Sequence, residues 1–143
     1  MKVKELMTKV LFTLTPEDPV DKAFIFFHFE NIRHLPVLEN ESLVGIVSDR
    51  DLKKVIGSRK KLTTNEEGTR VIIPAKKVKN IMRRGVVTIS PEQRAADAAA
   101  IMAKRKISSL PVVKKDKLVG ILTATDILKA FVKLQNDIDN VGK

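Results

Sequence analysis

Two stretches of this chain place a hydroxyl and a carboxylate three positions apart at the end of an apolar run. They are Gly45-Ile46-Val47-Ser48-Asp49-Arg50-Asp51-Leu52 and Gly120-Ile121-Leu122-Thr123-Ala124-Thr125-Asp126-Ile127. Ser48 with Asp51, and Thr123 with Asp126, have the spacing of a capping box, in which both side chains satisfy free amides where a helix begins. The same arrangement has a second use. A helix start offers unpaired N–H groups and a positive dipole end to an anion. A carboxylate nearby can accept hydrogen bonds from vicinal sugar hydroxyls, as acidic residues do for ribose in dinucleotide folds. Amides and a hydroxyl for phosphate, with a carboxylate for ribose, make a nucleotide-shaped set. The residues by themselves leave both uses open.

Other chemistry is poorly supplied. The chain has no Gly-x-x-x-x-Gly-Lys-[Ser/Thr] loop, no Gly-x-Gly-x-x-Gly, and no serine nucleophile with a plausible base. It has no cysteine, which excludes disulfides and thiolate metal sites. Its two histidines, His28 and His34, are six apart and cannot form a helical metal pair. Asp49 and Asp51 lie two apart at a helix start, a capping arrangement rather than an acid/base pair. The expectation is a protein that is not an enzyme, with no catalytic cofactor and no metal.

The elements that must position these residues are written twice. His34-Leu35-Pro36-Val37 followed by Leu43-Val44-Gly45-Ile46 returns 75 residues later as Ser109-Leu110-Pro111-Val112 followed by Leu118-Val119-Gly120-Ile121. Aligned without a gap, Val3 to Lys54 and Val78 to Lys129 share 17 identities in 52 pairs. An open solenoid needs at least three repeats to bury its faces, so a period present twice predicts a packed pair. Such a pair is expected to be related by a pseudo-twofold axis, with two clefts where the copies meet.

Each copy reads as β-α-β-β-α, which predicts an α/β (α+β) fold. A short lead-in (Val3 to Met7, Val78 to Met82) precedes a β-rich stretch (Val10 to Leu14, Val86 to Ile89). Thr15-Pro16-Glu17 and Ser90-Pro91-Glu92 read as helix starts. The helices that follow space Val20, Ala23, Phe24, Phe27 and Ala95, Ala98, Ala99, Met102 along one face. Two strands joined by a polar turn come next, and a closing helix begins near Ser48 or Thr123. The predicted organisation is residues 1–56, a basic linker 57–75 in which Arg70 to Ile73 forms a stray strand, residues 76–134, and a C-terminal tail 135–143.

Hydrophobic residues make up 43% and charged residues 31%, a globular balance. No signal-like or membrane-spanning stretch is present, so a cytoplasmic protein is expected. The net charge is +10, and nine basic residues against two acidic ones fall between Gly57 and Arg84. Such a field attracts phosphates, so binding of nucleic acid is the alternative function. Aromatics are only 4%, with no Tyr or Trp, which leaves few stacking platforms for single strands. The first long helix is apolar nearly all round, and its Phe26 and Phe29 are expected to line a homodimer interface.

The paired Leu-Pro-Val, polar turn, and Leu-Val-Gly-Ile-x-[Ser/Thr]-x-x-Asp-[Ile/Leu] pattern resembles the cystathionine-beta-synthase (CBS) domain family, over about Val3 to Leu134. The two copies look like the tandem called a Bateman module. The resemblance implies a regulatory unit binding adenosine-containing ligands (AMP, ADP, ATP or S-adenosylmethionine) in clefts between the repeats, with output through an unknown effector protein. It assigns phosphate contact to Ser48 and Thr123, with Thr125 beside the latter, and ribose contact to Asp51 and Asp126. It also implies composite clefts. Asp126 and Thr123 would share one with Ile32 and Met7 to Thr13, and Asp51 and Ser48 the other with Ile107, Ser108 and Met82 to Thr88. Just before Leu-Pro-Val stand Arg33 and His34 in one copy, but Ser108 and Ser109 in the other. Arg33 and His34 are therefore the phosphate candidates, and the clefts are expected to differ in their preference for charged phosphates.

Overall fold

Each Leu-Pro-Val run and the Leu-Val-Gly-Ile run after it form an antiparallel hairpin, because their alternate residues have a core to face. A computed structural model describes residues 1–10, 12–56, 62–64, 68–70 and 75–142. In chain order the elements are α1 (Val3–Leu6), α2 (Val20–Phe29), β1 (His34–Glu39), β2 (Ser42–Ser48), α3 (Asp49–Ile56), β3 (Leu62–Thr64), β4 (Gly68–Arg70), a 3-10 turn (Val78–Asn80), α4 (Ala95–Arg105), β5 (Ser109–Lys114), β6 (Lys117–Thr123) and α5 (Ala124–Val141). The chain is thus a mixed helix-and-sheet protein, with β1–β2, β3–β4 and β5–β6 forming two-stranded sheets among the described residues. Strand register pairs His34 with Ser48 and Ser109 with Thr123, and each hairpin has an irregularity at the same place, Val37/Leu38 and Val112/Val113. The connecting residues Asn40 and Glu41 have φ of 50° and 68°, and Lys115 and Asp116 have 51° and 63°. Two successive left-handed residues give the turn whose twist matches the flanking strands.

The chain divides into two compact units, Met1–Leu11 with Val87–Lys143, and Phe12–Val86. These are not the sequence repeats: each repeat's lead-in belongs to the unit built from the other repeat. In the first unit, the Val3 amide donates to the Gln93 carbonyl (2.8 Å) and the Lys4 amide to that of Pro91 (2.9 Å). In the second, the Val78 amide donates to the Asp18 carbonyl (2.8 Å) and the Lys79 amide to that of Pro16 (3.0 Å). Matching ion pairs reinforce each join, Lys2 and Lys4 with Glu92, and Lys77 and Lys79 with Glu17. The two cores correspond at six buried positions of the repeat. Val3, Ile89, Ala98, Leu110, Val112 and Leu122 pack in one, and Val78, Leu14, Ala23, Leu35, Val37 and Val47 in the other.

Two expected boundaries move. The β-rich stretches shrink to single parallel bridges, Leu14 to Val37 and Ile89 to Val112. Pairing stops there because the chain turns at once: the Thr15 amide donates to Asp18 Oδ2 (2.7 Å), and the Ser90 amide to Gln93 Oε1 (2.8 Å). Thr15 and Ser90 therefore head turns, not helices. Bridges from Pro19 to Lys77 and from Arg94 to Lys2 keep the next residues extended, so the helices begin at Val20 and Ala95. Of the expected linker strand, Val71 to Ile73 lie outside the described residues, as do the basic residues Arg59, Lys60 and Lys61.

On α2, Val20 and Ala23 are buried, while Phe26 packs in its own unit with its ring 4.9 Å from that of Phe12. Phe29 is 71% exposed. Helix α5 continues through residues 135–141 and leaves Leu128, Phe131, Val132, Leu134, Ile138 and Val141 uncovered. Among the described residues, no helix is long and apolar enough to cross a membrane.

The lysine clasps have a pH signature. Hydrogen bonds from Lys77 and Lys79 lower the Glu17 carboxyl from 4.5 to about 2, and those from Lys2 and Lys4 do the same to Glu92. A carboxylate depressed in the folded state contributes stability that is whole above its unfolded value and is lost as pH falls through the folded one. Thermal stability should therefore decline between about pH 5 and pH 2, and the double variant Glu17→Gln with Glu92→Gln should flatten that decline. Both carboxylates are exposed, so the effect should be small and should shrink in high salt. Melts of wild type and variant across that range check it; parallel pH profiles would contradict it.

Candidate functional site

The two hydroxyl–carboxylate pairs sit where β2 passes into α3 and where β6 passes into α5. The Ser48 amide donates to Asp51 Oδ2 (2.9 Å) and the Asp51 amide returns a bond to Ser48 Oγ (3.1 Å). In the other unit the Thr123 amide donates to Asp126 Oδ2 (2.9 Å) and the Asp126 amide to Thr123 Oγ1 (3.2 Å). Both are capping boxes, so this geometry holds each carboxylate by one oxygen. The other oxygen is the one with chemistry left.

That second oxygen meets the exchanged lead-in. Residue 8 crosses β6, where Thr8 and Ile121 exchange backbone hydrogen bonds of 2.8 and 2.9 Å. Residue 83 crosses β2 in the same way, paired with Ile46 at 2.9 and 3.1 Å. The crossing needs the glycines of the Leu-Val-Gly-Ile runs. A Cβ on Gly120 would stand 2.8 Å from Met7 Sδ and 3.0 Å from the Thr8 carbonyl oxygen. One on Gly45 would stand 2.7 Å from Met82 Sδ and 3.0 Å from the Arg83 carbonyl oxygen.

The side chains brought in differ. Thr8 Oγ1 donates to Asp126 Oδ1 (3.2 Å), whereas Arg83 Nε donates to Asp51 Oδ1 (3.0 Å) in an ion pair. Asp51 is buried at 7% exposure, while Asp126 is half-buried. Thr8 and Arg83 lie within the implied ligand stretches Met7 to Thr13 and Met82 to Thr88, in which neither carries an expected role. Their signal was present: they occupy matching positions of the repeat and differ in charge.

Arg33 and His34 stand at the entry to β1 in the same unit as Ser48 and Asp51. The Asp49 amide donates to the Arg33 carbonyl (3.0 Å), and Arg33 itself is exposed. Burial pushes His34 below the ordinary histidine value of 6.5, against the opposing charges of Asp49 and Asp51. It is therefore a neutral imidazole at pH 7, a hydrogen-bonding group rather than a cation. Ser108 and Ser109 hold the equivalent place near Thr123, with the Ala124 amide donating to the Ser108 carbonyl (2.9 Å). Ile32 and Ile107 are half-buried against the core of their respective units, and Thr125 is exposed on the first turn of α5. Among the described residues no group of three or more His, Asp or Glu side chains is arranged to hold a metal.

The pattern of the CBS domain matches residues 3–58 and again 78–133. An uncharacterized protein of Methanocaldococcus jannaschii is 36% identical over 137 residues, which are 94% of this chain; the chain spans 32% of that relative's length. The CBS domain pair of protein MJ0100, solved in complex with 5-methylthioadenosine and S-adenosyl-L-methionine, superposes with a TM-score of 0.76 at 27% identity, covering 93% of this chain and 97% of that one. The protein CBSX2, solved in complex with AMP, superposes with a TM-score of 0.76 at 26% identity, covering 92% and 97%. With the family pattern present twice, the chain belongs to the CBS domain family and carries two of its domains.

Proposed function

We propose that this chain is a regulatory module that binds adenosine-containing ligands, with Asp51 and Asp126 holding ribose hydroxyls and the side-chain hydroxyls of Ser48 and Thr123 serving the ligand's polar end. One observation supports this most. In both units the carboxylate is oriented by a main-chain amide through one oxygen, leaving the other to a side chain that a ligand can replace. Relatives in complex with AMP, and with S-adenosylmethionine and methylthioadenosine, favour the same ligand class. Regulation follows if the ligand binds one arrangement of the protein more tightly than another, which shifts their populations. An effector protein then reads the shift.

Titration calorimetry of nucleotide-stripped protein with AMP, ATP and S-adenosylmethionine tests this. At least one should bind in the micromolar range or tighter. No heat with any of them, together with salt-sensitive retention on DNA, would replace the proposal with nucleic-acid binding through the basic segment.

The proposal includes a homodimer through the part of α2 that carries Phe26 and Phe29, of which Phe29 is exposed and Phe26 half-buried. At micromolar concentration, sedimentation should show a dimer, and Phe29→Glu should shift it to monomer. A wild-type monomer would remove this part.

A further inference from the structure

The two carboxylates do not have the same partner. Arg83 Nε lies 3.0 Å from Asp51 Oδ1, with the arginine side chain 54% exposed and the aspartate side chain 8%. At the matching position, Thr8 Oγ1 lies 3.2 Å from Asp126 Oδ1 and 3.4 Å from Oδ2. We infer that Arg83 makes the two mouths unequal: the Asp51 mouth selects phosphorylated adenosine ligands, and the Asp126 mouth selects uncharged or cationic ones. This rests on the ribose-binding reading of the two aspartates.

At Asp51, sugar hydroxyls must compete with a charge-assisted hydrogen bond, which is about twice as strong as a neutral one. An uncharged nucleoside has nothing to offer the displaced guanidinium. A phosphate does, because arginine carries five donors in a planar fork and holds phosphate oxygens in pairs. Only Nε is engaged with Asp51, and the half-exposed side chain can turn to a ligand. Arg33 stands at the same mouth, tied to it through its carbonyl and the Asp49 amide.

Asp126 has none of this. Its partner is a neutral hydroxyl that rotates away at little cost, and Ser108 and Ser109 take the places of Arg33 and His34. Among the described residues no cation is paired with this carboxylate, so a nearby phosphate is repelled while a neutral or sulfonium-bearing ligand is not.

The test is calorimetry on the full chain with two probes, adenosine and AMP. Adenosine should bind at one mouth, weakening about tenfold to hundredfold in Asp126→Ala and keeping its wild-type affinity in Asp51→Ala. The tighter AMP site should disappear in Asp51→Ala. Arg83→Thr should weaken AMP at the Asp51 mouth by about tenfold, the loss of one charge-assisted contact, and should open a second adenosine site. The reciprocal Thr8→Arg should transfer AMP preference to the Asp126 mouth, so the inference does not depend on one variant. If Arg83→Thr changes neither probe, or both aspartate variants weaken both probes alike, the inequality is wrong although ribose binding stands. If wild type binds neither probe, the ribose reading falls and takes the inference with it.

Discussion

Asp126→Ala should weaken adenosine binding by about tenfold to hundredfold, the loss of roughly 1.5–3 kcal/mol expected when hydrogen bonds to a charged group are removed. The same substitution removes the acceptor for the Thr123 amide, so a helix cap is lost with it. That structural cost is about 1 kcal/mol, and thermal melts measure it separately from binding. Asp126→Asn separates the two roles. Its amide oxygen can still accept from Thr123, while the negative charge is gone, so stability should recover more than affinity does. Adenosine affinity in Asp126→Ala equal to that of wild type would mean that the carboxylate only caps α5.

Gly120→Ala should destabilise the protein by about 1–3 kcal/mol, the cost of forcing volume into a packed site. The added methyl would meet Met7 Sδ and the Thr8 carbonyl. A thioether can swing aside, but that carbonyl accepts from the Ile121 amide and cannot move without breaking the crossing. Since the crossing also delivers Thr8 to Asp126, the variant should disturb the mouth as well as the melt. Gly45→Ala should behave alike at Met82 and Arg83. Gly142→Ala is the control: its nearest neighbours would be 3.6 Å away, so its effect should stay within about 0.5 kcal/mol. Chemical denaturation compares the three, and equal midpoints would show that the glycines are not there for close approach.

These glycines show which parts of the molecule were legible in its sequence. The repeat, the hairpins and the two capping boxes follow from local patterns: the recurring Leu-Pro-Val and Leu-Val-Gly-Ile runs, the polar turn between them, and a hydroxyl three residues before an acid. Thr15-Pro16-Glu17 and Ser90-Pro91-Glu92 misled because a turn and a helix start use the same residues. Asp18 and Gln93 close the turn and delay the helix. The exchange of lead-ins was beyond local reading. Its clasps join Lys2 to Glu92 and Lys77 to Glu17, residues 90 and 60 apart, and nothing near either partner announces the other. The contact of Arg83 with Asp51 was half visible. Alignment of the repeats shows arginine against threonine, but only the fold places both side chains on the carboxylates.

The most direct measurement compares adenosine with 2′,3′-dideoxyadenosine, which lacks the hydroxyl pair, by calorimetry on the wild-type chain and on Asp126→Ala. Ribose recognition by this carboxylate predicts that the dideoxy compound binds wild type at least about tenfold more weakly and that the difference vanishes in the variant. Equal affinity of the two compounds for wild type would contradict it.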